Sequence, residues 1–296
     1  MVIAAQTRLD ASVRIAVFEP LRAVNTALLS LLDGFGADDW NRPTIHKDRS
    51  VKDLAAHLLH GSIRRVLSRT AAPELENLFR DINYRPPAPR NFLDAEQLTR
   101  FIQEDNRAFM NAMSGVTPRV IRELIGRYDP ELVRLFESLD QDAPGLGVVW
   151  AGQWQSPTWF DIAREYTEKW HHQQQLRDAT GRPPLYDRAL LVPALEIFAR
   201  GLPYAYRRLR GTDGAAISIF VEAPADIAWT LRSQGGAWSL WRGSDRSCQT
   251  SVTVSPDLLW RVWTKGVPLA EAEESLTITG SLAHAAPLLA FVAIMA

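Results

Sequence analysis

Between Val13 and Leu32 the apolar residues Val17, Leu21, Val24, Leu28 and Leu32 recur every three or four positions, which predicts an amphipathic helix. Gly34, Gly36 and Pro43 interrupt that period. Ser50 with Asp53 three residues later has the form of a capping box opening a second helix, SVKDLAAHLLHGSIRRVLSRT. The Pro-rich run NYRPPAPRNF leads to a further helical pattern in AEQLTRFIQEDNRAFMNAMSG. Another follows in TPRVIRELIGRYDPELVRLFESLD, with a break expected at Asp129-Pro130 because the residue before a proline is steered away from helical angles. APGLGVVWAGQWQSP reads as a loop ending at Pro157, mobile around its glycines, and EYTEKWHHQQQLRDATGRP lies on the helix after it.

Beyond TGRPPLYD the pattern changes. Residues 188–210 still read as helix, but AAISIFVEA, IAWTLRSQ, GAWSLWRG and SCQTSVTVS are rich in β-branched and aromatic residues and are separated by Gly-Gly and Gly-Ser breaks. Those are strands of an expected antiparallel sheet. PDLLWRVWTKG reads as a helix, SLTITG as a strand and the apolar tail as a last helix. The expected fold is therefore an all-α half followed by a smaller α+β half, with the boundary near Pro184 to Asp187, giving domains 1–186 and 187–296.

Composition narrows the function. Hydrophobic residues make up 46% and charged residues 23%, and the net charge of −1 offers no general attraction to nucleic acid or to an anionic membrane. Cys248 is the only cysteine, so an intrachain disulfide and a thiolate zinc cluster are both excluded, and a reducing cytoplasm is expected. Arg8, Asp10 and Arg14 fall where a signal peptide needs an apolar run. The apolar tail SLAHAAPLLAFVAIMA has 16 residues, short of the roughly 20 needed to span a bilayer.

The candidate chemistry starts from Glu168 and His172, four residues apart on one helical face and separated by about 6 Å of rise. Asp161, Glu165 and Gln175 extend that stripe. His171 is turned by about 100° and points elsewhere. His57 on the second helix, with Gly61 one turn on, offers a third donor. Two imidazoles and a carboxylate make a site with open coordination positions, suited to zinc and acceptable to nickel or iron. The plainer accounts are a solvated helix face for Glu168 and His172 and a core histidine for His57. His60 is expected to be the exposed neighbour of His57, His46 to lie in a polar loop, and His284 to lie far from both clusters. Nothing resembles a nucleophile elbow, a phosphate-binding loop or a dinucleotide fingerprint. Trp150, Trp154, Trp159 and Trp170 would wall a pocket or fill a core. Arg207, Arg208 and Arg210 would form a solvated helix end or hold a carboxylate.

Taken together, SVKDLAAHLLHG and the later E-x-W-x-H-x-x-x-L-R-x-A-x-G-R-P pattern resemble the mycothiol-dependent maleylpyruvate isomerase family of the DinB-like superfamily. The resemblance implies an up-and-down four-helix bundle that binds a metal through His57, Glu168 and His172, joined to a domain similar to sterol carrier proteins. It also implies a divalent metal and mycothiol, acting on a small electrophile by isomerisation or S-transfer. Glu165, one turn from Glu168, is read either as a general base or as a structural or solvated glutamate. Gln175 stands where many relatives have aspartate, and Ser50 where many have tryptophan. The family's arginine from the second domain has candidates here in Arg242, Arg261 and Lys265. The competing expectations are a lipid-binding or small-molecule-binding protein with a structural metal, and a metal-dependent hydrolase.

Overall fold

The computed structural model describes residues 7–10, 13–69, 72–88, 90–209, 213–245 and 247–294. Its contacts form two compact units. One comprises Phe18–Asp140 with Glu168–Pro184, and the other comprises residues up to Val17 with Gln141–Thr167 and Leu185–Ile294. This grouping differs from a single cut near residue 186, because apolar side chains between Gln141 and Thr167 pack with residues much later in the chain.

The first unit is helical, built from α1 (Phe18–Asp33), α2 (Val51–Leu67), α3 (Pro73–Asp81), α4 (Ala95–Ala112), α5 (Pro118–Ser138) and the C-terminal part of α6 (Thr158–Thr180). α1 begins at Phe18, five residues later than the apolar period suggests. α2 opens on the expected capping box: Asp53 N–H donates to Ser50 Oγ at 3.2 Å, and Ser50 N–H donates to Asp53 Oδ2 at 2.9 Å. Leu28, Leu54, Leu59, Ile63, Phe109, Ile121 and Ile125 are fully buried in one core. Each such aliphatic or aromatic side chain contributes about 1.5–3 kcal/mol. α3 is too short to announce itself by periodicity, but its Leu75 and Phe79 reach the same core.

The break expected at Asp129-Pro130 does not occur, and α5 runs through Pro130. A proline inside a helix costs about 3 kcal/mol. Here burial of Tyr128, Asp129, Leu132 and Val133 fastens both sides of it. Asp129 has a further role. Its Oδ1 accepts from Lys169 Nζ at 2.8 Å and from Ser62 Oγ at 2.6 Å, while Lys169 Nζ also donates to Ser62 Oγ at 2.9 Å. Both charged side chains are 1% exposed, so this pair joins α2, α5 and α6 inside the helical unit.

The second unit contains β1 (Thr7–Arg8), β2 (Pro144–Val148), β3 (Gln153–Pro157), the N-terminal part of α6, α7 (Arg188–Ala199) and α8 (Leu202–Ala205). It continues with β4 (Ala216–Val221), β5 (Ile227–Gln234), β6 (Ala237–Arg242), β7 (Thr250–Val254), α9 (Pro256–Trp263), α10 (Leu269–Glu274), β8 (Thr277–Thr279) and α11 (Leu282–Ala290). The sheet order is β1-β6-β5-β4-β7-β8, and the sheet is mixed, contrary to the antiparallel expectation, because β4 and β7 run parallel. The outer edge of β6 is already taken by β1, through Thr7 opposite Arg242. β7 pairs with the opposite edge, next to β4.

The stretch expected to be a mobile loop is a hairpin, with Gly145 opposite Ser156 and Leu146 opposite Gln155. Gly152 turns it at φ 79°, and a Cβ at Gly147 would come within 2.3 Å of the Trp154 carbonyl oxygen. Trp150 packs against Phe160, Phe198 and Phe291, and Trp159 is buried, whereas Trp154 is 55% exposed. Trp150 and Trp159 are thus core residues, as is Trp170 in the helical unit. Residues 188–210 form the shorter helices α7 and α8, and Arg210 lies outside the described residues. Among the described residues no helix is long and apolar enough to cross a membrane.

Removing one partner of the buried pair strands the other charge. Lys169→Met or Asp129→Ala is expected to lower the unfolding free energy by about 3–5 kcal/mol, measured by urea denaturation. The double variant Lys169→Met/Asp129→Leu is expected to recover most of that loss.

Candidate metal centre

His57 projects from the second turn of α2, and Glu168 and His172 lie one turn apart on α6. The structure brings these three residues together, with one donor atom from each lying within 4.8 Å of the others. His57 Nε2 is 3.1 Å from His172 Nε2, and His172 Nε2 is 3.5 Å from Glu168 Oε2. Edges of this length are those expected between neighbouring ligands on one ion with bonds of about 2.0–2.2 Å. The residues present fit a divalent cation.

The electrostatics agree with that fit. Burial, followed by the neighbouring His172 charge, holds the His57 imidazole well below its usual pKa, against an opposing pull from Glu168. His57 is therefore neutral at physiological pH, the form that a metal requires. Gln175 Oε1 lies 2.8 Å from His172 Nδ1. A carboxamide oxygen only accepts, so this contact suits the tautomer that carries its proton on Nδ1 and leaves Nε2 toward His57. His57 has no such support among the described residues, since its Nδ1 is buried there without a hydrogen-bond partner.

His46 is part of this arrangement, although its loop position gives no hint of it. Its Nε2 is 3.3 Å from the same Gln175 Oε1, and its ring centroid is 6.2 Å from that of His172. Burial and the His172 charge lower its pKa to about 4. His171 stays out of the triad, as helical geometry requires, and packs its ring 3.9 Å from that of His172.

The profile of the mycothiol maleylpyruvate isomerase N-terminal domain matches residues 21–177, more than half of the chain. The chain belongs to that family. Two solved structures of the mycothiol-dependent maleylpyruvate isomerase are similar at 12% sequence identity. One, a histidine-to-alanine variant, covers 88% of this chain and 90% of its own with a TM-score of 0.49. The other covers 83% and 86% with a TM-score of 0.46. No curated protein matches the chain.

In this member of the mycothiol maleylpyruvate isomerase family, Ser50 caps α2. Arg242 donates twice to Glu196, at 2.8 Å each, and Arg261 donates to Asp257 at 3.0 Å, so both guanidiniums are engaged with carboxylates. Lys265 is exposed at φ 59°. Arg207 lies 3.7 Å over the Tyr204 ring and donates to the Tyr204 carbonyl, which makes it a helix-end residue.

His60 is not the exposed residue expected from its sequence position. It is 1% exposed, stacked on Phe109 with ring centroids 4.3 Å apart, and its Nε2 is 2.9 Å from Tyr84 Oη. Tyr84 in turn donates to Asp105 Oδ1 at 2.6 Å, and Arg64 pairs with Asp105 Oδ2 at 3.2 Å. Tyr84 and Asp105 come from segments remote in sequence, so local pattern carries no signal of this burial.

Burial, then the Arg64 charge, pulls the His60 pKa down to about 3 from an ordinary 6.5. A depressed folded-state value means that the native state resists protonation, so His60 favours folding above pH 6.5 and progressively less as pH falls toward 3. Its expected share of the slope approaches 1.4 kcal/mol per pH unit. Chemical denaturation across that range is expected to give a shallower slope for His60→Gln than for the wild type.

Proposed function

We propose that the protein is a metal-dependent enzyme that uses a low-molecular-weight thiol, mycothiol by its family, for isomerisation of a small electrophilic substrate or S-transfer to it. The observation that carries this reading is the convergence of His57 Nε2, His172 Nε2 and Glu168 within 4.8 Å, in a chain of the mycothiol maleylpyruvate isomerase family. Zinc suits two imidazoles and one carboxylate, and nickel or iron accepts the same donors. When bound, the cation would favour the thiolate of a coordinated thiol, whose free pKa is about 8.5.

The chain's own residues supply the rest. Gln175 keeps the His172 lone pair aimed at the triad by accepting its Nδ1 proton. Glu165 lies one turn before Glu168 on α6, and its carboxylate is assigned the proton released by the thiol. The same reading takes the helical unit as the up-and-down four-helix bundle of the DinB-like superfamily, treats the C-terminal α+β part as related to sterol carrier proteins, and assigns the protein to the cytoplasm.

Elemental analysis of protein purified without chelator tests the first step. The wild type is expected to carry near-stoichiometric metal, with little in His57→Ala or His172→Ala. Equal metal in all three would sink the reading. Gln175→Leu is expected to weaken metal affinity by about 10- to 100-fold, read by competition with a chromophoric chelator. Glu165→Gln is expected to keep its metal while slowing thiol-dependent consumption of an electrophile by about 10²- to 10⁴-fold. Unchanged turnover would remove Glu165 from the chemistry.

A further inference from the structure

His46 sits in the loop that runs from Pro43 to Ser50, the residue that caps α2. A bridge between Pro43 and Ser50 closes the base of that loop, and Val51 N–H donates to the Arg42 carbonyl at 3.0 Å beside it. The interior is braced as well. His46 N–H donates to Thr44 Oγ1 at 3.2 Å, and the His46 carbonyl accepts from Arg49 N–H at 3.1 Å. Ile45, Lys47 and Asp48 are exposed, whereas His46 is half-buried, because its ring turns inward to α6.

The ring meets an atom there that already has a task. Gln175 is buried, and its Oε1 lies 2.8 Å from His172 Nδ1 and 3.3 Å from His46 Nε2. A carboxamide oxygen has two lone pairs, so it can accept an N–H from each ring. The amide also has a second orientation. Turned over, it would present its NH2 group to His172 Nδ1, which favours the proton on His172 Nε2 and withdraws the donor that faces His57. With His172 as its only partner, the amide could follow either tautomer, since each orientation makes one hydrogen bond. A second N–H aimed at the same oxygen ends that equivalence. The turned amide would then require both rings to move their protons together.

We propose that His46 is a positioning residue for the candidate metal centre: by donating from Nε2 to Gln175 Oε1 it locks the side-chain amide, and through it the His172 tautomer whose Nε2 lone pair is open to a cation. It acts through Gln175 across 129 residues of sequence. The loop that caps α2, the helix of His57, thereby sets a donor on α6. A cation then meets an imidazole already in its binding form, and affinity rises because less reorganisation accompanies binding. The inference rests on the functional reading above for the cation alone. The His172 tautomer is a property of the metal-free chain.

Long-range proton–nitrogen spectra of metal-free protein with isotope-labelled histidine read the His172 tautomer, its signals assigned by their loss in His172→Ala. The wild type is expected to carry the proton on Nδ1. His46→Phe keeps a ring without the donor and is expected to shift His172 toward a mixture of tautomers, and His46→Ala, which adds no bulk, should do the same if the phenylalanine lowers the unfolding midpoint. His46→Gln returns an N–H near the place of Nε2 and should restore the wild-type pattern. Zinc affinity, read by chelator competition, is expected to fall about three- to tenfold in His46→Phe, less than the 10- to 100-fold typical for the direct partner of a metal ligand. In a Gln175→Leu background the same change should have no further effect, because its route is gone. An unaltered His172 tautomer in both His46→Phe and His46→Ala would overturn the proposal. So would an equal loss of zinc affinity with and without Gln175. A tautomer shift in a chain whose wild type takes up no zinc would uphold the positioning role while removing the metal reading.

Discussion

The buried pair between Lys169 and Asp129, closed by the Ser62 hydroxyl, is the interaction on which the rest of the candidate site depends. Lys169 follows Glu168 and precedes His172 by three residues, and Ser62 lies five residues after His57. Two charges excluded from water tolerate little displacement, because their desolvation is offset only at close range. The pair therefore holds α6 in register with α2 and α5. The 3.1 Å separation of the two imidazole nitrogens is a consequence of that register. Pro130 fits the same logic, since the residue before it is the acid that takes part in the pair.

Around this anchor the histidines divide by environment. His60 is enclosed by Phe109, Tyr84 and Asn106 and stays neutral as part of the core. His57 and His172 present nitrogens to one another, an arrangement that one shared proton or one cation relieves. His46 and Gln175 form an outer layer on the His172 side, whereas His57 Nδ1 has no counterpart among the described residues. The two imidazole donors are thus unequally supported, and orientation of the site rests mainly on α6.

Much of this was legible in the sequence where the cause is local. Ser50 and Asp53 cap α2 through neighbouring atoms, the apolar periods of the helices reflect one face each, and the four-residue spacing of Glu168 and His172 sets a shared face by geometry alone. Long-range causes left no local mark. His60 is buried by side chains from α4 and from the segment after α3, Pro130 is overruled by burial on both sides, and the parallel pairing of β4 with β7 joins strands that are separated in sequence by β5 and β6. The link from His46 to Gln175 spans the chain between two segments that each look like ordinary polar surface.

Helix α6 belongs by its first residues to the sheet-containing unit and from Glu168 onward to the helical one. In terms of synthesis, this sets an order of completion. Once Pro184 has emerged, every described segment of the helical unit is present, including all three triad residues. Chains acquire structure from the N-terminal side as they are made. The sheet unit, by contrast, requires the strand at Thr7–Arg8 to meet β6, and Trp150 to meet Phe291 near the end of the chain. Its earliest strand must therefore wait, unpaired, for β6 to appear, while the helices that carry the triad can already close around Lys169.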